Sequence, residues 1–153
     1  MATITNLRPV PNGKRRVLVV EDNLDSVHSM TALIRMMGHE VQFAINGFAA
    51  LDVARKYRPD IVILDLGLPD FRGEHLATQL KYEPGLEQTR IIAISGLPQA
   101  NLEQCAREAG CAEFYRKPID PTQLEEILAE PVNSFSTANE SKDSAETGHR
   151  RGE

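Results

Sequence analysis

The chain has 153 residues, 41% of them hydrophobic and 25% charged, which is the size and make-up of one globular domain with a core of its own. A net charge of −5 at pH 7 argues against a nucleic-acid-binding surface, and the short basic cluster Lys14-Arg15-Arg16 reads as the solvated start of a strand. No apolar stretch approaches the length of a membrane span, residues 1–13 lack the apolar segment of a secretory signal, and Cys105 and Cys111 fit no metal-ligand spacing, so both are expected as small buried hydrophobes in a reducing cytoplasm.

Residues 1–14, with Pro9, Pro11 and Gly13, are expected to form a flexible leader. Short apolar runs then alternate with segments of helical spacing. Val17–Val20, Ile61–Leu64 and Ile91–Ile94 are continuous and rich in β-branched residues, the habit of strands buried on both faces of a parallel sheet. Val41–Ala44 and the weaker Ala112–Tyr115 complete five strands. The first helix carries Leu24, Val27, Thr31, Ile34 and Met37 on one face and closes at Gly38. Asn46 caps a second helix holding Phe48, Leu51, Val53 and Ala54. A third runs from about Glu74 to Tyr82, a fourth follows Pro98 and ends at Gly110, and a fifth follows Pro121 with Leu124, Ile127 and Leu128. Five βα units predict a doubly wound α/β domain over residues 15–130, a five-stranded parallel sheet in the order 2-1-3-4-5. Residues 131–153 hold few large apolar side chains and are expected to be a disordered tail.

In such a sheet the ligand edge lies at the carboxyl ends of the strands. Glu21 and Asp22 follow the first run, Asp65 the third, Ser95 the fourth, and Lys117-Pro118 the fifth. Three crowded carboxylates repel one another, and a divalent cation removes that cost. Oxygen ligands without His or Cys favour Mg²⁺, with Mn²⁺ as second choice. The backbone carbonyl of Gly67 completes the expected metal shell. Asp65 then has the makings of a carboxylate nucleophile for a phosphoryl group, with the metal, Lys117 and Ser95 each facing one phosphoryl oxygen.

Val19-Val20-Glu21-Asp22-Asn23, Leu64-Asp65-Leu66-Gly67-Leu68-Pro69-Asp70, Ile94-Ser95-Gly96 and Phe114-Tyr115-Arg116-Lys117-Pro118 together resemble the receiver domain of bacterial two-component response regulators, over about Arg16 to Ala129. The resemblance implies that Asp65 is the phosphoacceptor and that Glu21 and Asp22 are the acidic pair around Mg²⁺. It implies that Ser95 is the switch hydroxyl, Phe114 the switch aromatic and Lys117 the phosphate-pairing lysine, with a cis bond between Lys117 and Pro118. It further implies a phosphohistidine donor on a sensor histidine kinase or a histidine phosphotransfer protein. The downstream protein would bind the surface of the fourth helix, fifth strand and fifth helix. Glu21 stands where the family often has Asp, and Gly67 where it often has Asn or another polar residue.

The competing reading is an aspartyl-phosphate-forming phosphatase on a similar sheet. Such an enzyme wants an acid–base carboxylate two residues after its nucleophile, and Gly67 and Leu24 hold those places after Asp65 and Asp22. A flavin-binding protein is disfavoured because Glu21 and Asp22 would repel the flavin phosphate. The expected role is therefore a cytoplasmic phosphoacceptor that assists its own phosphorylation and dephosphorylation, rather than an enzyme turning over an external substrate. His28, His39, His75 and His149 sit in no donor-site pattern.

Overall fold

A computed structural model describes residues 13–70, 72–98 and 101–129. The elements are β1 Arg16–Val20, α1 Leu24–Met36, β2 Glu40–Ala44, α2 Gly47–Tyr57, β3 Ile61–Asp65, α3 Gly73–Tyr82, β4 Arg90–Ser95, α4 Leu102–Glu108, β5 Glu113–Arg116 and α5 Pro121–Ala129. All strands are parallel, in the order β2-β1-β3-β4-β5. The expected tail, and the expected leader apart from Gly13 and Lys14, lie outside the described residues.

Strand alternation sends successive side chains to opposite faces, and each face meets its own helices. Leu18, Val20, Val62, Leu64, Ala93 and Phe114 pack with residues of α2, α3 and α4. Val17, Val19, Ile61, Ile63, Ile92 and Ile94 pack with Ile34 of α1 and with Leu124, Ile127 and Leu128 of α5. Every residue of β3 and β4 is buried, which is why these runs are continuous rather than alternating. At about 1.5–3 kcal/mol for each fully buried Val, Leu or Ile, this core can hold several polar groups at one edge of the sheet.

Local chemistry sets the helix boundaries. Gly38 (φ +93°) follows α1, its N–H donates to Arg35 O, and the His39 N–H reaches Ile34 O. That pair of bonds is a Schellman closure, and it needs the left-handed backbone that Gly allows. Asn46 Oδ1 accepts from Ala49 N (2.8 Å) and caps α2. Asp120 Oδ1 accepts from Gln123 N (2.7 Å) while Asp120 N donates to Gln123 Oε1 (3.1 Å), a capping box with Pro121 as the first helical residue.

Several expectations need correcting. β2 begins at Glu40 and β5 runs from Glu113 to Arg116, one residue away from the apolar runs, because ladder pairing sets strand limits rather than hydropathy. Leu24 is 52% and Phe48 66% exposed. Each lies in the first turn of its helix. Cys111 is buried, but Cys105 is only half-buried. Burial pushes the Cys111 thiol up to about 12, far from the range of reactive cysteines.

Candidate functional site

β1 is flanked by β2 on one side and β3 on the other, so the chain reverses its winding direction beside it. The carboxyl ends of β1 and β3 therefore form the crevice where α/β sheets bind ligands. Glu21 and Asp22 follow β1, and Asp65 ends β3. Carboxylate oxygens of these three residues lie within 4.8 Å of one another. Asp22 is exposed at the mouth, whereas Glu21 and Asp65 are buried.

Lys117 reaches into this cluster from the loop after β5. Its Nζ lies 2.7 Å from Glu21 Oε1 and 3.1 Å from Asp65 Oδ2. The other Asp65 oxygen, Oδ1, accepts the Gly67 N–H at 2.9 Å, and Glu21 Oε2 accepts the Asn23 N–H at 3.1 Å. Burial works to lower the Lys117 pKa, but bonds to Glu21 and Asp65 outweigh it, and the ammonium is held above its ordinary value. Burial is also the main influence on Glu21 and raises its pKa, against the opposing pull of Lys117. Glu21 Oε1 is ion-paired, yet it has no well-aligned hydrogen bond among the described residues. A buried carboxylate oxygen in that state, beside two more carboxylates and no sulfur or imidazole, fits a hard divalent cation. The described residues thus hold an acidic cluster able to bind a metal ion.

Ser95 ends β4 and is fully buried. Its Oγ accepts the Leu97 N–H at 2.9 Å, and the Lys117 N–H bonds Ser95 O at 2.9 Å, which ties the ends of β4 and β5 together. Phe114 pairs in register with Ala93, two residues before Ser95, so Ser95 and Phe114 share one face of the sheet. The Phe114 ring is buried on the α2–α4 side. The Lys117–Pro118 peptide bond is cis.

Two residues of the quoted motifs carried no assigned role in the sequence. Arg116 places its guanidinium 5.3 Å from the centre of the Phe114 ring and donates to Leu97 O, so both polar groups of the Leu97 peptide are engaged. Asp70 accepts the N–H groups of Gly47 (2.9 and 3.0 Å) and Phe48 (3.3 Å) at the start of α2. Asp70 had a signal, an acidic residue after Pro69 in the loop beyond Asp65. Arg116 had none, since its partners are the Leu97 carbonyl beyond the neighbouring strand and the Phe114 ring two residues back on its own strand.

Residues 17–129 match the model of the response regulator receiver domain. The chain belongs to the response regulator receiver domain family. This receiver domain is 32% identical over 114 residues to the polar-differentiation response regulator DivK of Brucella anthropi, covering 74% of this chain and 93% of that protein. A CheY-like receiver domain from Methylobacillus flagellatus superposes with a TM-score of 0.69 at 31% identity, over 75% of this chain and 96% of that one. The receiver domain of a sensor histidine kinase from Pseudomonas aeruginosa, solved with a magnesium ion coordinated in its active-site cleft, gives a TM-score of 0.71 at 24% identity, over 79% of this chain and 99% of that one. No helix among the described residues is long and apolar enough to cross a membrane.

Proposed function

We propose that Asp65 of this receiver domain accepts a phosphoryl group from a phosphohistidine on a sensor histidine kinase or a histidine phosphotransfer protein, in a Mg²⁺-dependent reaction. A single arrangement supports this reading: the buried Asp65 carboxylate is paired with the Lys117 ammonium at 3.1 Å and has carboxylate oxygens of Glu21 and Asp22 within 4.8 Å. An Asp65 oxygen attacks phosphorus, the P–N bond breaks as the O–P bond forms, and the imidazole takes a proton from solvent. Lys117 is the fixed cation for the incoming charge, and Ser95 is the hydroxyl donor once it leaves Leu97 N–H. Glu21, Asp22, Asp65 and the Gly67 carbonyl are the residues that would hold Mg²⁺. When bound, the ion supplies charge neutralisation for the transferred group.

Positions two beyond Asp65 and Asp22 are Gly67 and Leu24, which provide no acid–base group for rapid hydrolysis. The acyl phosphate therefore persists as a signal, and the protein is a switch rather than an enzyme with an external substrate. Ser95 moving toward the phosphoryl group, followed by Phe114, reshapes the α4–β5–α5 surface for a downstream protein. A cytoplasmic location, where its kinase would present the phosphohistidine, goes with these proposed roles.

The test is incubation with acetyl phosphate and Mg²⁺. Intact mass should rise by one phosphoryl group in the wild type and not in Asp65→Asn, with no signal in EDTA. Equal labelling of Asp65→Asn would overturn the assignment, and continuous release of phosphate from phosphomonoesters would restore the phosphatase reading.

A further inference from the structure

We propose that Asp70 is a positioning residue for the transfer site, clamping the loop after Asp65 to the first turn of α2. The inference rests on the reading of Asp65 as acceptor and of the Gly67 carbonyl as a metal-facing group.

The loop is fixed at its near end. Leu66 N–H donates to Ile94 O at 2.9 Å, Gly67 N–H donates to Asp65 Oδ1 at 2.9 Å, and Leu66 is packed so tightly under Gly73 that a Cβ on Gly73 would stand 2.5 Å from its Cα. At its far end Pro69 leads into Asp70, which crosses to a different layer of the fold. There its two oxygens accept from Gly47 N and Phe48 N. Asn46 Oδ1 takes Ala49 N, so each of the first three amides of α2 has an acceptor: two supplied by the loop, one by the helix's own cap. A carboxylate suits this place because these amides carry the positive end of the helix dipole. Gly67, Leu68 and Pro69 are thus strung between two fixed points, one on β4 and one on α2. Lys117 holds Asp65 from the β5 side, and Asp70 anchors the same segment from the β2 side. Gly67 has no side chain of its own to secure its carbonyl, so the anchor must come from a neighbour.

Asn46→Ala is the control, because it removes a cap from the same helix turn without touching the loop. In the metal-free protein, amide hydrogen exchange at Gly67 should speed up about tenfold in Asp70→Ala and stay at the wild-type rate in Asn46→Ala. In acetyl phosphate labelling, Asp70→Ala should need about tenfold more Mg²⁺ for half-maximal rate, the scale seen when a group supporting a metal ligand is removed. At saturating Mg²⁺ its rate should stay within about twofold of wild type. Asp70→Asn keeps one acceptor oxygen and should recover most of both effects. If Asp70→Ala and Asn46→Ala behave alike in exchange and in Mg²⁺ requirement, the clamp is only a helix cap and the proposal is overturned. If the exchange contrast appears but the wild type takes no phosphate, the clamp stands and the reading of Asp65 falls.

Discussion

Gly73→Ala tests how closely α3 is built onto the segment that carries Asp65. An added Cβ would lie 2.5 Å from Leu66 Cα, 2.6 Å from Leu66 Cδ2 and 3.0 Å from Leu66 Cβ. Unstrained carbon contacts begin at about 3.5 Å, so the helix must withdraw by roughly 1 Å. Leu66 Cδ2 can rotate away, but Cα is backbone and its N–H is bonded to Ile94 O. Overpacking of this kind costs about 1–3 kcal/mol, and a backbone obstacle puts it at the upper end. Alanine returns about 0.5–1 kcal/mol through a less flexible unfolded chain. The net loss is about 2 kcal/mol, or a fall in Tm of roughly 6–10 °C for a domain of this size. Because Leu66 directly follows Asp65, the same displacement reaches the acceptor carboxylate, and misplacement by about 1 Å can slow a positioned reaction by up to 10²-fold. Urea unfolding and acetyl phosphate labelling at saturating Mg²⁺ read the two effects. A variant as stable as wild type, labelled at the same rate, would show that α3 and the Asp65 segment are not in the contact described.

Glu113→Ala should destabilise by about 3–5 kcal/mol, since it removes the carboxylate 2.7 Å from the Arg90 side chain, which is 3% exposed, and leaves the bond to Ile127 O without that charge partner. A loss below about 1 kcal/mol in urea unfolding would mean that Arg90 finds water or another partner. His39 Nδ1 accepts the Arg15 N–H at 2.9 Å, and burial, then the Arg15 charge, hold its pKa below the ordinary value. Lys14, Arg35, Glu40 and Tyr57 line the same cleft. The folded chain binds this proton less readily than the unfolded chain, so the stabilisation is present above about pH 6.5 and is lost as pH falls through the folded value. The urea midpoint should drop between about pH 7 and pH 5.5, and His39→Gln should flatten that slope; an unchanged slope refutes it. At Gly67 a Cβ would meet Asp65 Oδ1 at 3.5 Å and Leu97 Cδ1 at 3.8 Å, which are ordinary contacts. Gly67→Asn should therefore fold, place a polar group over the acyl phosphate, and shorten its lifetime about fivefold, or about 1 kcal/mol of barrier; identical decay would refute a role for this position.

The strand order was legible because burial on both faces leaves a mark in the sequence. Ile61–Leu64 and Ile91–Ile94 are uninterrupted because each must satisfy two helical layers, and only central parallel strands do that. β2 and β5 were drawn less well for the same reason. β2 is an edge strand with only Val41 and Ala44 buried, so Glu40 joins the ladder through a backbone bond to Arg15 O that no hydropathy pattern can report. Helical spacing likewise cannot say which periodic residues are covered, and Leu24 and Phe48 keep the period while exposed.

At the site, residue type and strand end sufficed to gather Glu21, Asp22, Asp65 and Lys117, because parallel topology converts distant positions into neighbours. How those groups share their charges was not legible. Glu21 read from sequence as one of the acidic pair around the metal; in the fold it is also a closer partner of Lys117, at 2.7 Å against 3.1 Å for Asp65. One ammonium thus serves two buried carboxylates, and the burial cost on Glu21 is only partly offset. A divalent cation held at this cluster would relieve the remaining repulsion. It would also weaken the hold of Glu21 on Lys117, leaving that ammonium for the charge that the proposed transfer would bring to Asp65. Metal binding and phosphoryl acceptance would then be coupled through Lys117. That coupling would run through the Glu21–Lys117 contact, which a sequence cannot report and the fold shows.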